Sequence, residues 1–225
     1  MGISDEQRRM TELLQLMRGS GDVTGLADRA EALLWDLPDP QEAAQSAASL
    51  AVLLAPFDTA RTRALVEYAE GLLDHAERLL PSARDPERPA WVLAELAKAL
   101  AFLGSPEQAR IRIDLAAARV RGFPEDRALL LSELVEAAAA IGDRTRADDL
   151  LTEARDLLAA ATDLYQRFLT TLELAETARI IGDERQAGAL LAEAERLLPA
   201  IRDPAQRSLA RSVLPGKGTG MSAEK

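Results

Sequence analysis

Three glycines, Gly104, Gly142 and Gly182, recur at separations of 38 and 40 residues, and each opens the same register. Five residues on stands an alanine (Ala109, Ala147, Ala187), nine on an aliphatic residue (Ile113, Leu151, Leu191) and twelve on a second alanine (Ala116, Ala154, Ala194). Steps of four and three keep these side chains on one face of an α-helix. Each glycine is therefore followed by a helix with a narrow apolar seam. Eight residues before each glycine comes a leucine (Leu96, Leu134, Leu174), then a small or β-branched residue (Ala97, Val135, Ala175). A recurrence of this length marks a repeat architecture: one unit cannot bury its apolar face alone, and stacked units can.

The punctuation between the seams repeats as well. Residues 76–86 read AERLLPSARDP and residues 194–204 read AERLLPAIRDP, 118 residues apart. Asp-Pro pairs occur at Asp39-Pro40, Asp85-Pro86 and Asp203-Pro204, with Ser105-Pro106 as their equivalent. The Asp or Ser side chain accepts from the first free N–H groups of a helix. Proline one position later loses only a bond the helix does not make there. Asp58, Asp143, Thr162 and Asp183 are further candidate caps, and the three glycines sit where helices stop. These signals predict about eleven helices, near 4–18, 23–36, 40–55, 58–80, 86–103, 106–121, 124–141, 144–160, 163–181, 184–198 and 204–213. The short connections make successive helices antiparallel neighbours. Gly71 is expected to kink or shorten the fourth. Residues 215–225, PGKGTGMSAEK, have no apolar periodicity and are predicted to be a disordered tail.

The glycine, alanine, large-apolar, alanine spacing resembles the second helix of the tetratricopeptide repeat (TPR), a family that also favours proline after that helix, as at Pro81 and Pro199. The resemblance holds best over residues 86–200 and fades to an A-x-x-L-L echo over 22–85 (AEALL at 30–34, AERLL at 76–80). The units are longer than the family's usual length of about 34 residues. Leu93, Leu131 and Thr171 replace its usual first-helix aromatics. The resemblance implies an all-α fold, a right-handed α-α superhelix (a TPR-like solenoid) of about eleven antiparallel helices, forming one repeat domain over 1–214.

Composition agrees with a helical array and narrows the function. Hydrophobic residues make up 48% of the chain and aromatics 4%, so Ala and Leu, strong helix formers, carry the packing. The net charge of −10 opposes general nucleic-acid binding, because phosphates are repelled. Arg110, Arg112, Arg119 and Arg121 form the one candidate basic stripe, and Asp114 interrupts it. There are no cysteines, which excludes disulfides, thiolate metal sites and thiol nucleophiles. The first residues are acidic and amphipathic, unlike the apolar core of a signal peptide, and no run approaches ~18 apolar residues. A soluble cytoplasmic protein is expected, with no membrane contact.

Catalytic constellations are missing. His75 is the single histidine, flanked by Asp74 and Glu77 as a solvated face. PGKGTG at 215–220 lacks the phosphate-loop spacing and any preceding strand. Asp148-Asp149 and Glu125-Asp126 read as capping or solvating charges. No enzyme, no cofactor and no metal site is expected.

Stacking leaves a concave surface lined by the first helix of each pair, and in the TPR family that groove takes extended peptides or protein termini. Carrying over the family's groove positions, at −13, −10, −6, −3 and −2 from each glycine, gives three sets. They are Trp91, Ala94, Lys98, Ala101 and Phe102; Leu129, Ser132, Glu136, Ala139 and Ala140; and Leu169, Leu172, Glu176, Arg179 and Ile180. Trp91 and Phe102 are the apolar anchors, Lys98 and Arg179 candidate carboxylate holders, and Glu136 and Glu176 candidates for basic groups. The function implied is a non-enzymatic scaffold for a protein or peptide partner. The alternatives are self-association (a homodimer through helix 4–18 or 204–213) and an all-helical small-molecule sensor or enzyme. Trp35, Tyr68, Tyr165 and Phe168 are assigned to core or inter-repeat packing.

Overall fold

A computed structural model of the chain describes residues 5–19, 23–79, 88–119 and 124–214, the side chains of 76–79 and 125 excepted. Among the described residues are eleven α-helices and no strand. They are α1 (Asp5–Gly19), α2 (Val23–Leu34), α3 (Pro40–Leu54), α4 (Thr59–Leu79), α5 (Arg88–Phe102), α6 (Pro106–Arg119), α7 (Pro124–Ala140), α8 (Arg144–Ala159), α9 (Leu164–Ile180), α10 (Glu184–Leu197) and α11 (Pro204–Val213), with a 3-10 turn at Leu198–Ala200. The all-α, TPR-like arrangement of consecutive antiparallel pairs is thus present. The Asp85-Pro86 restart, Pro81, Arg121 and the 215–225 tail lie outside the described residues.

The helix ends follow from the residues at them. Gly104, Gly142 and Gly182 have φ of 70°, 79° and 80°, the left-handed region that glycine enters without a Cβ penalty. Around each, the same two bonds close the helix. Gly104 N–H donates to Ala101 O and Ser105 N–H to Leu100 O; Gly142 N–H donates to Ala139 O and Asp143 N–H to Ala138 O; Gly182 N–H donates to Arg179 O and Asp183 N–H to Ala178 O. Two orphan carbonyls are satisfied at each stop. The restarts are equally local. Asp39 accepts from Gln41 N–H, Asp58 from Ala60 and Arg61 N–H, Asp183 from Gln186 N–H, and Asp203 from Ala205 and Gln206 N–H. At α9 the cap is Asp163, not Thr162: the Asp163 carboxylate accepts from Tyr165 and Gln166 N–H. A carboxylate is the stronger acceptor for these amides, and it sets the start one residue later. Gly71 neither breaks nor shortens α4, which runs 21 residues through it.

The described helices fall into two compact units, each taken by itself. Unit 1 is Met1–Arg121 with Ala137–Arg144, and unit 2 is Gly122–Glu136 with Thr145–Lys225. In unit 1, α1 packs on α2 and α3, α3 on α4 and α5, and α5 on α6. At the centre α3 buries Ala43, Ala44, Ala47, Ala48 and Ala51 beside Leu50 and Leu54. Alanine here lets neighbouring helices approach closely while the leucines fill the layer. In unit 2, α9 packs on α10 and α11 around Phe168, Ala194, Leu198, Ile201, Ala210 and Leu214.

The repeat register maps onto this packing. Leu96, Leu134, Leu174, Ala109, Ile113, Ala116, Ala147, Leu151 and Ala154 are all fully buried. In the third copy Ala187 and Ala194 are buried, but Leu191 is only half-buried. No described helix is long and apolar enough to cross a membrane.

Two glycine substitutions should act with opposite sign. A Cβ at Gly142 meets nothing within 4 Å, so Gly142→Ala pays only for its left-handed backbone, a loss of ~1–2 kcal/mol. Gly71 also has open space but lies mid-helix, so Gly71→Ala should gain ~0.4–1 kcal/mol. Urea denaturation of the two variants measures both.

Candidate functional site

Helix α9 has two faces. One buries Phe168, Thr171, Leu174, Ala175 and Ala178. The other carries Leu169, Leu172, Glu173, Glu176 and Ile180, at spacings of three, one, three and four. Beside this second face unit 2 holds a cavity of about 480 Å³. Leu169, Leu172, Glu173, Glu176 and Arg179 line it from α9, Glu184, Ala187, Gly188 and Leu191 from α10, and Val213 from the end of α11. Its floor is aliphatic and its polar groups are mainly carboxylates.

The electrostatics are one-sided. Glu173 is exposed by surface area, yet its carboxyl is pushed above the usual range, first by partial desolvation and then by the negative charges of Glu133, Glu136 and Glu176. Glutamates of α7 and α9 therefore act on one another within this unit. Both Glu176 oxygens accept from Arg179 Nη2, at 2.6 Å each. That pairing holds the Arg179 guanidinium above its ordinary range. Arg179 and Glu176 thus form an exposed pair one turn apart on the same helix.

The sequence-derived positions divide between the units. Glu176 and Arg179 line the unit 2 cavity, and Glu136 reaches it through its charge on Glu173. Trp91, Lys98 and Phe102 belong to α5 in unit 1, at spacings of seven and four that place them on one face over ~16 Å. Trp91 and Lys98 are half-buried and Phe102 is 56% exposed.

Glu173 was missed by the carried-over positions, yet a signal for it exists. The tetrapeptides ELAK at 95–98, ELVE at 133–136 and ELAE at 173–176 place a glutamate nine residues before each glycine. In unit 1 the equivalent Glu95 accepts from Ser49 Oγ at 3.4 Å, across to α3. Of the two assignments for Trp35, core and inter-repeat packing, the structure shows the second: it is 71% exposed in the turn after α2 and its ring meets Tyr68 of α4 at 4.7 Å. Phe168 and Tyr165 do belong to the unit 2 core and its margin.

The candidate arginine stripe is largely occupied by acids. Arg110 donates to Glu107 and Asp143, and Arg112 to Glu70. Arg119 borders a small cavity with Glu70 and Asp74. Guanidinium groups engaged this way are poorly placed to meet phosphates. No group of three or more metal-binding side chains occurs among the described residues.

Positive-φ glycine stops, Asp restarts and alanine-lined hairpins define this protein's class as a TPR-like array of helix pairs. No family model matches the chain, and no curated protein matches it. Among solved structures, the crystal structure of Ton1535 from Thermococcus onnurineus NA1 is similar over 91% of this chain, with a TM-score of 0.53 and 18% identity. The likeness is one of fold, and this chain spans 56% of that protein's length. Nearly identical TPR-like repeats from Podosopora anserina, in a Q17M crystal structure, align over 88% of this chain and 98% of theirs, with a TM-score of 0.48 and 19% identity.

The raised Glu173 carboxyl gives a signed pH prediction. A group whose folded value is raised binds more protons in the native state, so stability falls as pH rises from the ordinary carboxylate value toward the raised one. Glu173→Gln should therefore be more stable than the parent at pH 7. The difference should close as pH drops below about 4. Thermal melts across that range would read it, and a constant offset at all pH values would contradict it.

Proposed function

We propose that this protein is a non-enzymatic scaffold that binds a protein or peptide partner, and that its unit 2 cavity takes a basic segment with an apolar anchor. One observation carries the reading: an aliphatic floor of Leu169, Leu172, Leu191 and Val213 lies beside the Glu173 carboxyl, which partial desolvation and neighbouring glutamates disfavour as an anion. A lysine or arginine seated there relieves that repulsion, and an aliphatic side chain fills the floor. The cavity falls within the ~300–1,000 Å³ of ligand pockets. Its carboxylates suit neither an acidic peptide nor a nucleic acid. The α5 face with Trp91, Lys98 and Phe102 is the corresponding candidate surface of unit 1, where aromatic anchors flank a cation.

Self-association is the second reading. Leu209 and Val213 are exposed one turn apart on α11. Sedimentation across micromolar concentrations decides it, and a concentration-independent monomer removes it.

The binding reading is tested with a fluorescent peptide alternating Leu and Arg, and its Leu and Glu counterpart as control. The arginine peptide should bind and the glutamate peptide should not. Charge reversal by Glu136→Lys with Glu176→Lys should weaken binding roughly tenfold or more, about 1.4 kcal/mol, with the helical circular dichroism unchanged. Equal affinity of the reversed variant, or equal binding of both peptides, would overturn the proposal.

A further inference from the structure

Unit 1 holds a further cavity between α2 and α4. Helices α2 and α4 are the second members of successive pairs, and side chains bridge them. Near the start of α4, Arg61 donates from Nε to Glu31 at 2.9 Å, from Nη2 to the other Glu31 oxygen at 2.9 Å, and to Asp28. One to two turns further along α4, the rings of Trp35 and Tyr68 sit 4.7 Å apart, tilted by 54°. Between them is a space of about 210 Å³ bordered by Glu31, Leu34, Trp35, Arg61, Leu65 and Tyr68. It is too small for a cofactor or drug-sized ligand and fits a single side chain.

Trp35 is the feature that core packing does not explain. A tryptophan is among the costliest side chains to leave in water, and this one is 71% exposed beside a preformed cavity. Its neighbours decide what it can hold. The Arg61 charge is engaged by both Glu31 and Asp28, which lift the guanidinium above its ordinary range. Those three groups sum to one negative charge. Indole and phenol faces attract cations through their quadrupole, and the acidic rim acts in the same direction. A carboxylate ligand would meet excess negative charge. A purely apolar one would leave that charge uncompensated. Between the two basic side chains, arginine is favoured, because its planar, weakly hydrated guanidinium stacks on an aromatic face and lysine's ammonium does not.

We infer that the Trp35–Tyr68 cavity is a binding subsite for an arginine side chain of a partner protein, on the α2 and α4 side of unit 1. The inference does not depend on the unit 2 cavity. Arginine enters over the open face of Trp35, with its stem against Leu65 and its charge facing the Glu31 carboxylate.

The test uses the full chain and a local signal. The protein has two tryptophans, and Trp35→Phe assigns the indole N–H resonance of Trp35. Acetylated tetra-arginine amide is titrated against tetra-citrulline amide, which keeps the planar group without the charge. The Trp35 resonance should shift saturably with the arginine peptide, at least tenfold more tightly than with the citrulline peptide. The shift should persist in Glu136→Lys with Glu176→Lys, which separates this subsite from the unit 2 cavity. It should weaken at least tenfold in Tyr68→Leu, which keeps an apolar wall and removes the π face. Equal response to citrulline, loss of the shift on reversing Glu136 and Glu176, or a shift driven by protein concentration alone would each overturn the inference. The last of these would mark a second copy as the occupant.

Discussion

The structure depends on a turn of three residues. At Gly104, Gly142 and Gly182 a left-handed glycine lets two backbone N–H groups fold back onto the last helical carbonyls. The next helix begins two residues after each glycine, so one short segment both ends a helix and aims its successor. This fixes the exit direction of the chain, and with it the register in which the seam alanines meet the preceding helix. A β-branched residue there would clash in the left-handed region and force a longer connection. The alanines at five and twelve residues past the glycine are useful only because the turn sets that approach.

Most of the fold was legible because its signals are local. Asp39, Asp58, Asp183 and Asp203 cap helices through their own carboxylates, and such bonds need nothing from distant sequence. The errors have physical causes of the same scale. Thr162 and Asp163 are adjacent cap candidates, and spacing alone does not rank them; the carboxylate wins. Gly71 looked like a breaker, but one glycine costs a helix only ~1 kcal/mol. Packing along a 21-residue helix outweighs that cost. Trp35, read as core or inter-repeat packing, packs on Tyr68 of the next pair, and its exposure follows from where α2 stops.

The candidate site was less legible, because it is set by neighbours in space. The repeat register singles out Glu136, Glu176 and Arg179, but it does not show that Arg179 pairs with Glu176 one turn back. Glu173 was overlooked because the inherited groove positions skip it, although the thrice-written E-L-x-[EK] tetrapeptide marks it. What distinguishes it is a partly desolvated carboxyl, on a residue still exposed by surface area, together with three negative neighbours, two of them on another helix. No spacing rule within one helix contains that information.

One register position illustrates how a repeat acquires a surface. Nine residues past the glycines stand Ile113, Leu151 and Leu191, chemically alike and predicted alike as seam residues. The first two are fully buried. The third is half-buried and borders the unit 2 cavity, because what faces it differs. The ten-residue α11 buries only Ala210 and leaves Val213 at the cavity's edge. Aliphatic area that is core in one copy becomes a floor beside carboxylates in another. The same sequence rule that builds the stack thus leaves an aliphatic surface open beside the short α11.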